Sequence, residues 1–138
     1  MIKFYNKGNF APKVSSAGAA GIDLFVNTLS ADRLVIGTGV HVEIPVGYVG
    51  IVAPRSSSGM QGFKLANTIG VIDSDYRGEI QLVRELHATK GSMKILPGDK
   101  IAQMVVVPCI TKLHEVNNLE DLVSTERGEG GFGSTGGA

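Results

Sequence analysis

A chain of 138 residues with 13 basic and 13 acidic side chains has no formal net charge, so no broad basic field is available to hold a nucleic-acid backbone. The length is that of one domain, able to bury roughly two thirds of the surface its unfolded form would expose. A single cysteine, Cys109, excludes an intrachain disulfide and fits a reducing compartment; it lies in the apolar run 104–110 and reads as a small buried hydrophobe rather than a reactive thiol. The start, Met1 to Lys7, has no apolar signal core, and no apolar run approaches the ~20 residues of a spanning helix, so a soluble cytoplasmic protein without membrane contact is expected, in the host cytoplasm if viral.

Strand periodicity dominates. Val40, Val42 and Ile44 alternate with His41 and Glu43, Pro45-Val46-Gly47 makes a turn, and residues 48–53 resume an extended run, which reads as a hairpin. Further strand-like runs follow at 70–72, 79–86, 93–96 and 101–110, separated by Arg77-Gly78, Lys90-Gly91 and Pro97-Gly98. Two short stretches, 56–61 and 119–122, are the helix candidates, since no segment sustains an apolar helical face over three turns. Many short strands with 19 glycines predict an all-β domain, an antiparallel barrel or jelly roll. The composition shifts at the C-terminus, where residues 128–138 hold six glycines in eleven positions and Phe132 as the one large apolar group. Backbone entropy predicts an arm that orders only when something binds it.

Five segments carry polar chemistry. Asp23 sits between apolar neighbours in Ala20-Gly21-Ile22-Asp23-Leu24, and alone would read as an ordinary strand-edge acid. Pro54-Arg55-Ser56-Ser57-Ser58-Gly59 ends a strand and opens a short helix; its free amides, hydroxyls and guanidinium suit phosphate oxygens, although a serine cap beside a surface arginine is the plainer account. The loop Gly70 to Ile80 packs Asp73, Asp75, Tyr76 and Arg77 between two apolar runs. Gln103, in Gly98-Asp99-Lys100-Ile101-Ala102-Gln103, is a polar side chain at the mouth of the most apolar strand. The arm, Arg127 to Gly136, joins a guanidinium, hydroxyls, one aromatic and flexible backbone, the ingredients of a lid over a nucleotide.

Several literal patterns fail on context. Gly128-x-Gly130-x-x-Gly133 has no room for the helix a dinucleotide fingerprint requires. Asp73-Ser74-Asp75 opens like a calcium loop but places Arg77 and Arg84 at ligand positions. His41, His87 and His114 have no metal-ligand spacing and read as structural or solvent-facing, and no covalent nucleophile has a base at motif spacing.

Taken together, in order and at these spacings, the five segments resemble the five motifs of the homotrimeric dUTP pyrophosphatases (dUTPases), from Ala20 to Gly136. The resemblance implies an all-β jelly roll or distorted barrel of the dUTPase-like β-clip type, assembled as a homotrimer. It implies a β domain over residues 1–126 and an arm over 127–138 that closes on a neighbouring subunit's site. The implied reaction is Mg²⁺-dependent hydrolysis of dUTP to dUMP and pyrophosphate, which limits uracil in DNA and supplies dUMP for dTMP synthesis.

The implied roles are specific. Asp73 would be the general base for water attacking the α-phosphorus, and Gln103 would help orient that water. Tyr76 would lie on the deoxyribose and exclude a 2′-OH. Asn67, with backbone at Gly70 and Val71, would read the uracil edge. Arg55, Ser56 and Ser57 would hold the triphosphate from one side, and Arg127, Gly133, Ser134 and Thr135 from the arm, with Phe132 stacking on the base. Asp23 would accept hydrogen bonds from the hydration shell of Mg²⁺ rather than ligate it. Asp75, Arg77 and Glu79 read better as structural or intersubunit residues. Lys100 stands where the fourth motif often has arginine, and Ser58-Gly59 closes the second in a variable position. A dCTP deaminase of the same fold and a non-catalytic nucleotide sensor are the competing readings.

Overall fold

The computed structural model describes residues 1–85 and 94–133. In chain order the strands are β1 (Lys3–Asn6), β2 (Lys13–Val14), β3 (Ile22–Phe25), β4 (Thr28–Leu29), β5 (Val35–Gly37), β6 (Val40–Glu43), β7 (Tyr48–Pro54), β8 (Gly70–Ile72), β9 (Gln81–Val83) and β10 (Lys100–Pro108). A five-residue helix, α1 (Ser56–Met60), follows β7, and a 3-10 turn spans Leu119–Asp121. Both short helical stretches therefore form where they are expected.

The all-β expectation holds. Three antiparallel sheets are present among the described residues: β1-β6, β2-β3-β10-β7-β8 and β4-β5-β9. Their ladders do not close into one barrel. Strand β10 is the spine of the largest sheet, with β3 on one side and β7 on the other. Between the sheets lies one core, to which Leu24, Val40, Val42, Val52, Leu82, Ile101 and Met104 contribute from strands, and Phe63, Leu65, Ile80 and Ile95 from connections. Each such burial is worth about 1.5–3 kcal/mol relative to exposure, which fixes strand register because a one-residue slip would turn the whole set outward. Val40, Val42 and Ile44 are buried while Glu43 is exposed, as the alternation requires.

The hairpin reading of residues 40–53 is corrected. Strand β6 pairs with β1, whereas β7 pairs with β10 and β8. The turn, with Tyr48 N donating to Pro45 O at 3.1 Å, is a corner that carries the chain from one sheet to another. Other differences are smaller. Regular pairing over 79–86 shrinks to β9 with a bridge from Arg84 to Leu65, and Leu86 lies outside the described residues. Residues 94–96 form no strand, yet Ile95 is buried and its carbonyl accepts from the Arg33 guanidinium at 2.6 Å; Met93, with His87 and Lys90-Gly91, also lies outside the described residues. Strand β10 stops at Pro108, so Cys109 falls just past it and is half-buried rather than a core residue.

Beyond β10 the chain leaves the core. Ile110, Leu113 and Val123 are 89%, 96% and 92% exposed, so these three apolar side chains have little cover among the described residues.

Candidate active site

One group of polar residues gathers where β3, β10 and the end of β7 meet. Gln103 pairs with Asp23 across the β3–β10 ladder and with Ala53 across the β7–β10 ladder, so sheet register sets these side chains together. The Gln103 side chain lies over Gly21, where an added Cβ would overlap its amide oxygen; glycine at that position gives the side chain its space. Asp23 is buried. Its Oδ1 faces Arg55 Nε at 3.3 Å, and its Oδ2 accepts from the Ser15 hydroxyl and faces Lys100 Nζ at 3.8 Å. A buried carboxylate needs such partners, since an unpaired charge there would be costly.

Arg55 is the N-cap of α1 but makes no side-chain cap; besides Asp23 its guanidinium donates to Lys100 O at 3.3 Å. Ser56 and Ser57 are exposed on the first turn, whereas Ser58 faces inward and is buried. The serine-cap account of this segment therefore fails.

The second group is the loop after β8. Asp73 is exposed, and its carboxylate carries no hydrogen bond or ion pair among the described residues, while its carbonyl oxygen accepts from Tyr76 N at 3.1 Å. Tyr76 Oη donates to Glu79 O at 2.8 Å, and the Arg77 guanidinium donates to Ser74 O at 2.7 Å and Tyr76 O at 3.2 Å. Gly39 N donates to Glu79 Oε1 at 2.7 Å, and Glu79 Oε2 pairs with Lys7 Nζ at 3.1 Å. Burial pushes the Glu79 carboxyl up, but the Gly39 amide, Lys7 and His41 outweigh it and hold the group below the ordinary glutamate value. Asn67 and Val71 are exposed and Gly70 is half-buried, on and just before β8.

The two groups do not meet within one chain. Asp73 follows Ile72, which pairs with Gly50, whereas Gln103 pairs with Ala53 on the opposite side of β7. At about 3.3 Å per residue and about 4.8 Å per strand, their backbones are on the order of 15 Å apart, beyond what the two side chains can bridge. The described part of the arm, through Gly133, is equally unengaged. Arg127 Nε donates to Gly130 O at 2.7 Å, closing a local turn, and Phe132 and Gly133 are exposed. Ser134 and Thr135 lie outside the described residues.

Comparison with known proteins decides what these groups belong to. The dUTPase family model matches residues 9–136. The chain belongs to the dUTPase family. Among relatives named deoxyuridine 5'-triphosphate nucleotidohydrolase, that of Escherichia phage T5 is 44% identical over 91% of this chain and 90% of its own length. That of Nautilia profundicola is 40% identical over 98% and 96% respectively. Among solved structures, a Staphylococcus bacteriophage 80alpha dUTPase with dUPNHPP superposes with a TM-score of 0.76 at 27% identity, over 99% of this chain and 98% of that one. A dUTPase from phage phi11 of S. aureus, described as revealing the coordination of a structural Mg(II) ion, superposes with a TM-score of 0.71 at 25% identity, over 87% and 99%. By this membership the chain is a hydrolase.

Within the dUTPase family frame, a resident metal does not fit the described residues. No cluster of three or more histidine, cysteine, aspartate or glutamate side chains could hold one, and both Asp23 oxygens are taken by cations or a hydroxyl. Sequence reasoning did not find Ser15 as a partner of Asp23, nor Lys7, Gly39 and His41 as anchors of the Asp73 loop. Ser15 carries no motif signal, and the other contacts join residues more than 30 positions apart.

Proposed function

We propose that the chain hydrolyses dUTP to dUMP and pyrophosphate in a site shared between copies of itself. The observation that carries this reading is the separation of the Asp73 loop from the Gln103 group along one sheet, in a chain whose family and relatives are dUTPases. Two half-sites that cannot meet in one chain can meet when the Asp73 end of one copy abuts the Arg55 and Gln103 end of another. The exposed side chains of Ile110, Leu113 and Val123 supply surface for such an assembly, read as a homotrimer of jelly-roll domains.

In that site the unpaired Asp73 carboxylate takes a proton from water as the oxygen bonds to the α-phosphorus. The bond from that phosphorus to the bridging oxygen breaks, and pyrophosphate leaves. Gln103, held by β10, orients the water and the α-phosphate. Tyr76 covers the deoxyribose, and Asn67 with the Gly70 and Val71 backbone reads uracil. Arg55, Ser56 and Ser57 take the phosphates, which requires the guanidinium to exchange Asp23 for phosphate oxygens. Asp23 would face the water shell of a Mg²⁺ carried in by the triphosphate, and that ion would supply charge neutralisation.

Residues 127–138 act as the arm. Arg127, Gly133, Ser134 and Thr135 meet the phosphates and Phe132 meets the base, excluding water until product leaves. The test is a panel of dUTP, dCTP, dTTP and UTP with Mg²⁺, scored for pyrophosphate. Release from dUTP alone is expected; ammonia from dCTP, or dUTP binding without pyrophosphate, would replace the reading with a deaminase or a sensor.

A further inference from the structure

We propose that His41 is a positioning residue for the Asp73–Tyr76 loop, acting through the Arg77 carbonyl; the inference rests on the role given to that loop above. Residues 73–79 leave the sheet at Ile72 and return at Ile80, whose amide donates to Val40 O at 2.8 Å. Between those points most of the hydrogen bonds are internal. Tyr76 N reaches Asp73 O, the Arg77 guanidinium reaches Ser74 O and Tyr76 O, and Tyr76 Oη reaches Glu79 O. Internal bonds fix the shape of a loop but not its place on the body.

Among the described residues, two side-chain ties fix that place. One is the Glu79 carboxylate, bound to Gly39 N and Lys7. The other is His41, whose Nδ1 lies 2.8 Å from the Arg77 carbonyl oxygen. A carbonyl brings no proton, so Nδ1 carries it and donates, in the neutral ring and in the imidazolium alike. The His41 tie stands next to Tyr76 in the chain, whereas the Glu79 tie lies three residues on, at the loop's exit.

His41 is well mounted for the task. Its neighbours on β6, Val40 and Val42, are buried in the core, so the backbone that carries the ring cannot drift. The Tyr5 ring, 5.8 Å away and tilted by 43°, flanks the imidazole. The same residue whose carbonyl accepts from His41 grips the Ser74 and Tyr76 carbonyls with its guanidinium. Position thus passes from β6 to the imidazole, to the Arg77 peptide, and to the backbone that carries Asp73 and Tyr76. Removing the imidazole frees the Arg77 peptide to rotate and leaves the core untouched. A small misplacement of a base and a sugar-facing ring costs turnover and selectivity rather than ground-state affinity.

The experiment compares wild type, His41→Ala and His41→Asn in the full chain, by dUTP and UTP kinetics with Mg²⁺ and by hydrogen–deuterium exchange of the 73–79 peptide. Asparagine keeps an amide donor near the position of Nδ1. His41→Ala is expected to lower kcat for dUTP by about 10-fold with KM changed by less than about 3-fold, to narrow the dUTP:UTP preference, and to speed exchange in the loop; His41→Asn is expected to restore most of each. Loss of melting temperature in both variants with kcat, preference and loop exchange unchanged would overturn the proposal. A wild type inactive on dUTP would sink the hydrolase reading instead, and exchange in the loop would still decide whether His41 holds it.

Discussion

Tyr76 lies against Gly78. The ring is so close that a Cβ on Gly78 would overlap the phenol oxygen, and that oxygen is already committed, donating to Glu79 O at 2.8 Å. The absence of a side chain at 78 is therefore a condition for the orientation of the ring at 76.

Gly78→Ala should displace the Tyr76 ring while leaving the core alone, because both residues lie outside it. If that ring screens the sugar, the ratio of kcat/KM for dUTP to that for UTP is expected to fall by about 10-fold, the scale on which a modest steric contact discriminates. A ratio equal to that of the wild type would show that the ring does not set sugar selectivity.

Asp73→Asn keeps the shape of the side chain and removes its basicity. Turnover of dUTP is expected to drop by at least ~100-fold, as loss of a general base should cause, with the dissociation constant for dUTP nearly unchanged by calorimetry. Undiminished turnover would remove Asp73 from the reaction.

Glu79 makes stability depend on pH in a defined direction. Its carboxyl is held below the unfolded value, so its contribution is fully present above that value and is lost as pH falls through the folded one. Glu79→Gln should lower stability at neutral pH by about 1–3 kcal/mol, the scale of hydrogen bonds to a charged group, and the gap to wild type should close as the solution is acidified. Melting curves across the acid range test this; a gap that does not narrow would mean that the charge is irrelevant to the contact with Gly39 and Lys7.

Ser58 offers a test of the opposite sign. Its hydroxyl is buried in α1 with no hydrogen-bond partner among the described residues, a situation that costs about 1–3 kcal/mol. Ser58→Ala should raise the melting temperature, helped slightly by the higher helix propensity of alanine. A fall on substitution would show that the hydroxyl has a partner, such as an ordered water.

The parts of the molecule that were legible in the sequence are those governed by local pattern. Alternation at Val40, Val42 and Ile44 located β6 and its inward face, and the apolar stretch at 70–72 became β8. Pairing was not legible, because Pro45-Val46-Gly47 is equally a hairpin turn and a corner between sheets, and the choice depends on β1 and β10 at distant positions. The same limit applies to the site. Asp23, Arg55, Gln103, Asp73 and Tyr76 stand out in the sequence as candidates for one site, but their division between two ends of one sheet follows from ladder register. His41 read as a structural or solvent-facing histidine because Arg77, whose carbonyl it meets, lies 36 residues away.

The placement of Asp73 and Gln103 at opposite ends of a sheet has a consequence for mixtures of defective chains. If copies of the chain share the site as proposed, a lesion at either residue spoils every site in a uniform population. In mixed assemblies, however, some junctions join the sound end of one chain to the sound end of another. Two preparations that are each inert should therefore regain part of their activity when dissociated and reassembled together, and such complementation would be impossible for a site contained in a single chain.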